Sequence, residues 1–167
     1  MSDFHWPLAD ARATEAAGAA LAAVLSSLSQ EERPTLVTLS GELGAGKTTL
    51  VRGLLRALGV QGAVKSPSYT LVEPYEVAGR FFYHLDLYRI GDPEELEFLG
   101  LRDMLSGADA LLVEWPERAA GALPSPDLAL HLDYAAQGRD LRIQANSARC
   151  THILGLLEER APHILGA

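Results

Sequence analysis

The sequence predicts an α/β fold in three layers, with a mostly parallel central sheet that carries antiparallel hairpins, and three observations predict it. The short run Thr35-Leu36-Val37-Thr38-Leu39 leads through a glycine-rich stretch into a helical segment, the order that opens a βαβ unit. A second apolar run, Ala108 to Val113, reads as another strand. Two further pairs of segments, each joined through a glycine-containing turn, read as hairpins.

Between Asp10 and Leu28, residues Ala13, Ala16, Ala17, Ala20, Leu21, Val24 and Leu28 recur at helical spacing, and alanine, the best helix former, fills most of the rest. Gln30 to Pro34 breaks this amphipathic helix, and the strand Thr35 to Leu39 runs on to Gly41. Thr48 to Leu58 is helical and closed by Gly59, and Gln61 to Thr70 reads as a loop with Pro67 flanked by serines. Leu71 to Tyr75 and Phe81 to Tyr88 form the first hairpin through Ala78-Gly79. Asp92-Pro93-Glu94-Glu95 has the signature of a helix start, with Asp as cap, Pro at the first position and acids in the first turn. After the strand ending at Val113, Leu123 to Pro126 is a loop broken by proline. Leu128 to Tyr134 and Leu141 to Ala145 form the second hairpin through Gln137-Gly138, and a last helix covers Ala148 to Arg160. No repeat, linker or low-complexity tract interrupts this order, so one domain over residues 1–167 is expected.

The chain has 167 residues, with 14 Lys plus Arg against 22 Asp plus Glu, a net charge of −8. A protein that holds nucleic acid on its own carries a basic patch that releases counterions from phosphates, so this balance argues against a lone RNA or DNA reader. With 48% hydrophobic and 22% charged residues, a globular core is expected rather than disorder. The single Cys150 excludes an intramolecular disulfide and a cysteine metal cluster. Met1-Ser2-Asp3-Phe4-His5 lacks the basic start of a signal peptide, and the longest apolar run, Ala16 to Leu25, is far shorter than the roughly 20 residues of a membrane span. A cytoplasmic location with no membrane partner is expected. Only two lysines occur, Lys47 and Lys65, and one of them lies in the most informative motif.

Gly41-Glu42-Leu43-Gly44-Ala45-Gly46-Lys47-Thr48 matches G-x-x-x-x-G-K-[ST] at every defined position, between a predicted strand and a predicted helix. This is a P-loop, and it makes the fold P-loop NTPase-like. Its glycines let the backbone wrap so that N–H groups point at phosphate oxygens, and the helix beginning near Lys47 adds its positive dipole end. Residues Glu42, Leu43, Gly44, Ala45, Gly46, Lys47, Thr48 and Thr49 are therefore the expected cradle for ATP. Lys47 is expected between the β- and γ-phosphates, the Thr48 hydroxyl on Mg²⁺ and the Thr49 hydroxyl at the α-phosphate. The alternative is a glycine-rich turn without a ligand.

A P-loop also needs a carboxylate at the tip of a neighbouring strand to hold Mg²⁺, and Ala110-Leu111-Leu112-Val113-Glu114 offers Glu114 where Asp is usual. The alternative is an exposed strand-end acid. Trp115 could pack on the nucleotide or cover the sheet edge. In Phe82-Tyr83-His84-Leu85-Asp86-Leu87-Tyr88-Arg89, the two-residue period puts Phe82, His84, Asp86 and Tyr88 on one face. That face is either a solvated hairpin surface or the setting in which Asp86 orients the attacking water or helps bind Mg²⁺, with His84 or Arg89 as its partner. Ser66-Pro67-Ser68-Tyr69-Thr70 occupies the place of a γ-phosphate-sensing switch, or is only a turn.

Guanine recognition through Asn-Lys-x-Asp is excluded, because Asn146 is the only asparagine and no lysine follows Lys65. No arginine cluster suggests a kinase lid. The P-loop, Val64 to Tyr75, His84-Leu85-Asp86-Leu87-Tyr88-Arg89, Asp92 to Gly100 and Val113-Glu114-Trp115-Pro116 together resemble the TsaE family, also called YjeE, in order and spacing over nearly the whole chain. These are the bacterial ATPases of tRNA threonylcarbamoyladenosine (t6A) synthesis. The resemblance implies an ATPase that works with the TsaB and TsaD proteins, which transfer threonylcarbamoyl to N6 of adenosine 37 in tRNAs reading codons that begin with A. It implies contact with tRNA only through that complex.

The resemblance also implies Thr48 and Glu114 as Mg²⁺ ligands, ties Asp86 to activity, and points to Arg139 near the nucleotide, with Thr14 a further candidate on the adenine side. Catalytic roles are thus expected for Asp86, Lys47 and Glu114, with weak hydrolysis by the isolated chain. Ser68 stands where the family usually has Thr, and the hydroxyl is retained. Two other readings remain open: a small-molecule P-loop kinase, and a nucleotide-gated interaction protein that scarcely hydrolyses ATP. On the reading that the resemblance implies, the charge of −8 fits an accessory subunit docking on a larger, RNA-handling complex.

Overall fold

The computed structural model describes residues 3–33 and 35–165; Met1, Ser2 and Pro34, parts of the predicted start and of the predicted helix break, lie outside them, as do Gly166 and Ala167. Seven strands form one sheet: β1 (Asp3–Leu8), β2 (Leu36–Ser40), β3 (Val72–Val77), β4 (Arg80–Asp86), β5 (Ala110–Glu114), β6 (Leu128–Tyr134) and β7 (Arg139–Ala145). Their spatial order is β1-β7-β6-β2-β5-β4-β3. The four central strands β6, β2, β5 and β4 run parallel, and the flanking pairs are antiparallel. The α/β class, the parallel centre and both hairpins are as the sequence predicts.

Helices cover both faces. On one face, α1 (Ala11–Ser27), α2 (Lys47–Leu58) and α5 (Thr151–Leu165) pack Leu21, Val24, Leu50, Leu54, Ile153 and Leu157 onto Val37, Leu39, Leu130 and Leu141. On the other, the single-turn α3 (Glu95–Phe98) and α4 (Leu101–Gly107) bring Leu96, Leu101 and Met104 onto Leu36, Leu85, Leu111 and Val113. Strands β2 and β5 are buried on both sides, which is why they read as continuous apolar runs.

Asp10 caps α1, its side chain accepting from the Ala13 N–H at 2.8 Å. Helices α1 and α2 meet backbone to backbone: a Cβ on Gly18 would stand 2.2 Å from the Leu50 carbonyl oxygen, and one on Gly53 2.1 Å from that of Glu15. Only glycine permits this approach, and it fixes α2, whose first turn is the end of the P-loop.

Three elements depart from expectation. Strand β1 was not expected, because Pro7 argues against a strand although Phe4, Trp6 and Leu8 keep the two-residue alternation; as an edge strand beside β7 it tolerates proline. The helix at Asp92 lasts one turn. Asp92 Oδ1 accepts from the Glu94 N–H at 2.9 Å as a cap does, but Gly100 at φ +86° stops the helix and α4 starts afresh. The last helix begins at Thr151, behind a 3₁₀ turn over Ala148–Cys150.

Candidate nucleotide site

Strand β2 runs into Gly41, and the backbone turns through Gly44 at φ +78° and Gly46 at φ +111° before entering α2. A side chain at either glycine would force an L-residue into the left-handed region. The first-turn N–H groups of α2 therefore end at a cavity of about 580 Å³ lined by Gly44, Gly46, Lys47, Thr48, Thr49, Ser66, Ser68, Asp86, Tyr88, Arg89, Glu114 and Trp115. Lys47 is 5% exposed, and its Nζ donates to the carbonyl oxygens of Gly41 at 2.6 Å and Glu42 at 2.9 Å. Burial holds this ammonium below the ordinary lysine range, against the opposing pull of Glu114, Glu117 and Asp86.

The parallel register of β4 and β5 sets Asp86 opposite Glu114 at the strand tips. Both are buried, at 5% and 2% exposure. Glu114 Oε1 accepts from the Thr48 hydroxyl at 2.8 Å and from His84 Nε2 at 2.9 Å. Asp86 accepts from the Ser66 hydroxyl through Oδ2, and from the Tyr88 N–H through Oδ1 at 3.0 Å. Two readings of the sequence are thereby corrected. The face bearing His84 and Asp86 is interior, not a solvated hairpin surface, and Glu114 is not an exposed strand-end acid. The partner of Asp86 is Ser66, since His84 bonds Glu114 and the Arg89 guanidinium lies 4.8 Å from the Tyr69 ring. Tyr88 lies beyond the end of β4 and packs at a tilt against Trp115, ring centroids 4.9 Å apart.

Trp115 holds φ +57°, a left-handed conformation that costs an L-residue roughly 1–2 kcal/mol. Its indole lies 4.2 Å from Lys47 Nζ and lines the cavity, so it is a wall of the site rather than a cover for the sheet edge. A second cavity of about 370 Å³ lies on the other side of the P-loop, lined by Ala9, Asp10, Ala11, Thr14, Gly44, Ala45, Gly46, Thr49, Gly138 and Arg139. Thr14 is buried there with its hydroxyl on the Asp10 carbonyl at 3.2 Å. Arg139 donates to the carbonyls of Ala45 and Gly44, each at 3.2 Å, and lies over the Tyr134 ring at 4.2 Å. Tyr134 in turn donates to the Leu43 carbonyl at 2.6 Å. The second hairpin therefore clasps the P-loop, and Tyr134 is the member that sequence reasoning missed; its pairing with Arg139 across the hairpin was the available signal. The Glu42 and Leu43 side chains are exposed, and of Glu42 only the carbonyl takes part.

The hydroxyl of Thr48 and the carboxylate of Glu114 are hard oxygen donors, the set that suits Mg²⁺. Among the described residues no group of three His, Cys, Asp or Glu could enclose a metal.

The family model described as "Threonylcarbamoyl adenosine biosynthesis protein TsaE" matches residues 8–142. The chain belongs to the TsaE family. It is 50% identical over 116 residues to tRNA threonylcarbamoyladenosine biosynthesis protein TsaE of Haemophilus influenzae, covering 70% of this chain and 73% of that protein. Against the protein of the same name from Treponema pallidum it is 37% identical over 108 residues, 64% and 78% of the two chains. Among solved structures, Bacillus subtilis YdiB superimposes with a TM-score of 0.75 at 27% identity, over 97% of this chain and 96% of YdiB. Every residue of the larger cavity falls within the span that the TsaE family model matches.

Proposed function

We propose that this chain binds MgATP at the P-loop and hydrolyses it in support of threonylcarbamoyl transfer to adenosine 37 of tRNA, beside TsaB and TsaD, which hold the RNA. Membership in the TsaE family supports the pathway. The observation that carries the chemistry is the convergence of Lys47, Thr48, Asp86 and Glu114 on one cavity at the mouth of the P-loop. The backbone N–H groups and Lys47 bind the phosphates, and Thr48 and Glu114 hold the metal. Bound there, Mg²⁺ would supply charge neutralisation to the phosphates.

On this reading Asp86 orients a water and accepts its proton. Asp86 accepts from the Ser66 hydroxyl, and on this reading that bond ties its function to the loop Ser66 to Thr70 as the segment that responds to the γ-phosphate. Such a bond lets hydrolysis be reported to a partner: loss of the γ-phosphate frees the loop, and the partner complex is reset between turnovers. The −8 charge of the subunit is consistent with leaving the RNA to those partners.

Lys47→Ala removes the cation that compensates the phosphate charge and is expected to weaken ATP binding at least 100-fold in calorimetric titration. Wild-type affinity in that variant, or γ-phosphate appearing on an acceptor molecule instead of as inorganic phosphate, contradicts the proposal.

A further inference from the structure

Histidine 84 sits on β4 two residues before Asp86 and is 0% exposed, so it touches neither solvent nor the cavity wall. Its one hydrogen bond runs from Nε2 to Glu114 Oε1 at 2.9 Å. The other ring nitrogen, Nδ1, is buried without a partner among the described residues. A buried, unpaired ring nitrogen is a cost that an apolar side chain of similar size would avoid. The ring is therefore accounted for by its Nε2–H and by the carboxylate that receives it.

Glu114 needs such a donor. Where P-loop proteins usually place Asp, this chain has a side chain one methylene longer, with one more torsion to fix. The Thr48 hydroxyl reaches Oε1 from the α2 side at 2.8 Å, and His84 reaches the same oxygen from the neighbouring strand. Two donors from two elements fix the carboxylate and leave Oε2 without a protein donor among the described residues.

We infer that His84 is a positioning residue for the metal site, holding the Glu114 carboxylate through Nε2–H so that Oε2 is presented to the divalent cation or to its water. The inference rests on the nucleotide-site reading above and adds a residue acting through Glu114 rather than on ATP. Donors behind a metal-binding carboxylate fix its orientation, and their removal typically lowers metal affinity about 10- to 100-fold.

The test compares His84→Asn with His84→Gln in the full chain. The Gln amide nitrogen occupies the place of Nε2 and can still donate to Glu114, whereas the Asn amide falls short. Mn²⁺ affinity is measured by electron paramagnetic resonance at saturating ATP, and metal-free ATP affinity by calorimetry in a chelator. His84→Asn is expected to weaken Mn²⁺ binding about 10- to 100-fold, His84→Gln to stay within about threefold of wild type, and metal-free ATP affinity to match in all three. If His84→Asn fails the urea-unfolding check, His84→Phe, which keeps the volume and lacks the donor, takes its place. Unchanged Mn²⁺ affinity in a folded donor-less variant overturns the inference, and so does an equal loss of metal-free ATP binding, which marks a merely structural role. A wild-type chain that takes up no Mn²⁺ with ATP overturns the nucleotide-site reading as well, so the two failures are distinguishable.

Discussion

The two hairpins carry the same sequence pattern and put it to opposite uses. In β4, His84 and Asp86 alternate with apolar residues and are buried, each bonded to a side chain of the nucleotide site. In β6, His131 and Asp133 alternate with Leu130 and Leu132 in the same way, but their side chains are 34% and 60% exposed. His131 bridges Ser40 at 2.6 Å and Asp133 at 2.9 Å, a Ser-His-Asp chain that lines none of the described cavities and lies outside the phosphate site. The difference is place in the sheet. Strand β4 lies between β5 and β3, with Phe82 in the core on the α1 and α2 side and Leu85 on its other face against α3 and α4. Strand β6 is buried on its leucine face alone. A polar residue in alternation is uninformative until the covering layers are known; a buried one with a dedicated partner points to chemistry.

The comparison breaks most decisively at Asp86. Asp86→Asn keeps a side-chain acceptor for Ser66 but removes the base, and phosphate release is expected to fall about 10²- to 10⁴-fold. ATP affinity in a direct titration should stay within severalfold of wild type. Undiminished turnover would return β4 to the same standing as β6.

In the second hairpin the expected losses are of stability. Gly138 turns the chain between β6 and β7 at φ +78°, and a Cβ there would meet the Leu8 carbonyl oxygen at 2.0 Å. Gly138→Ala is expected to lower unfolding free energy by about 2–4 kcal/mol, read as an earlier urea midpoint at unchanged slope. The smallest effect is predicted for His131→Ala. Its partners are solvated or satisfied elsewhere, Ser40 reaching the Leu130 carbonyl at 3.3 Å, so stability should shift by no more than about 0.5 kcal/mol and ATP turnover not at all. A large loss of activity there would show that the Ser40-His131-Asp133 chain serves the site.

This contrast also marks how far the sequence could be read. The P-loop was fully legible, because its chemistry lies in eight consecutive residues whose spacing is the mechanism. The strand parity of His84 and Asp86 was legible from the two-residue period. Their burial was not, since it depends on β4 docking beside β5, which belongs to a distant part of the chain. The His84–Glu114 bond spans 30 residues and the Tyr134–Leu43 bond 91, and neither leaves a local trace. Strand β1 was hidden by Pro7, and α4 by its brevity, two turns behind a left-handed glycine.

The most direct test of the account is t6A formation by purified TsaB and TsaD with tRNA and threonylcarbamoyl adenylate, with phosphate release read from the same samples. With the wild-type chain added, repeated rounds of t6A should accompany phosphate release; with Lys47→Ala added, both should fall to the level of the partners alone. Equal t6A formation with Lys47→Ala and wild type would contradict the claim that this chain acts through ATP bound at its P-loop.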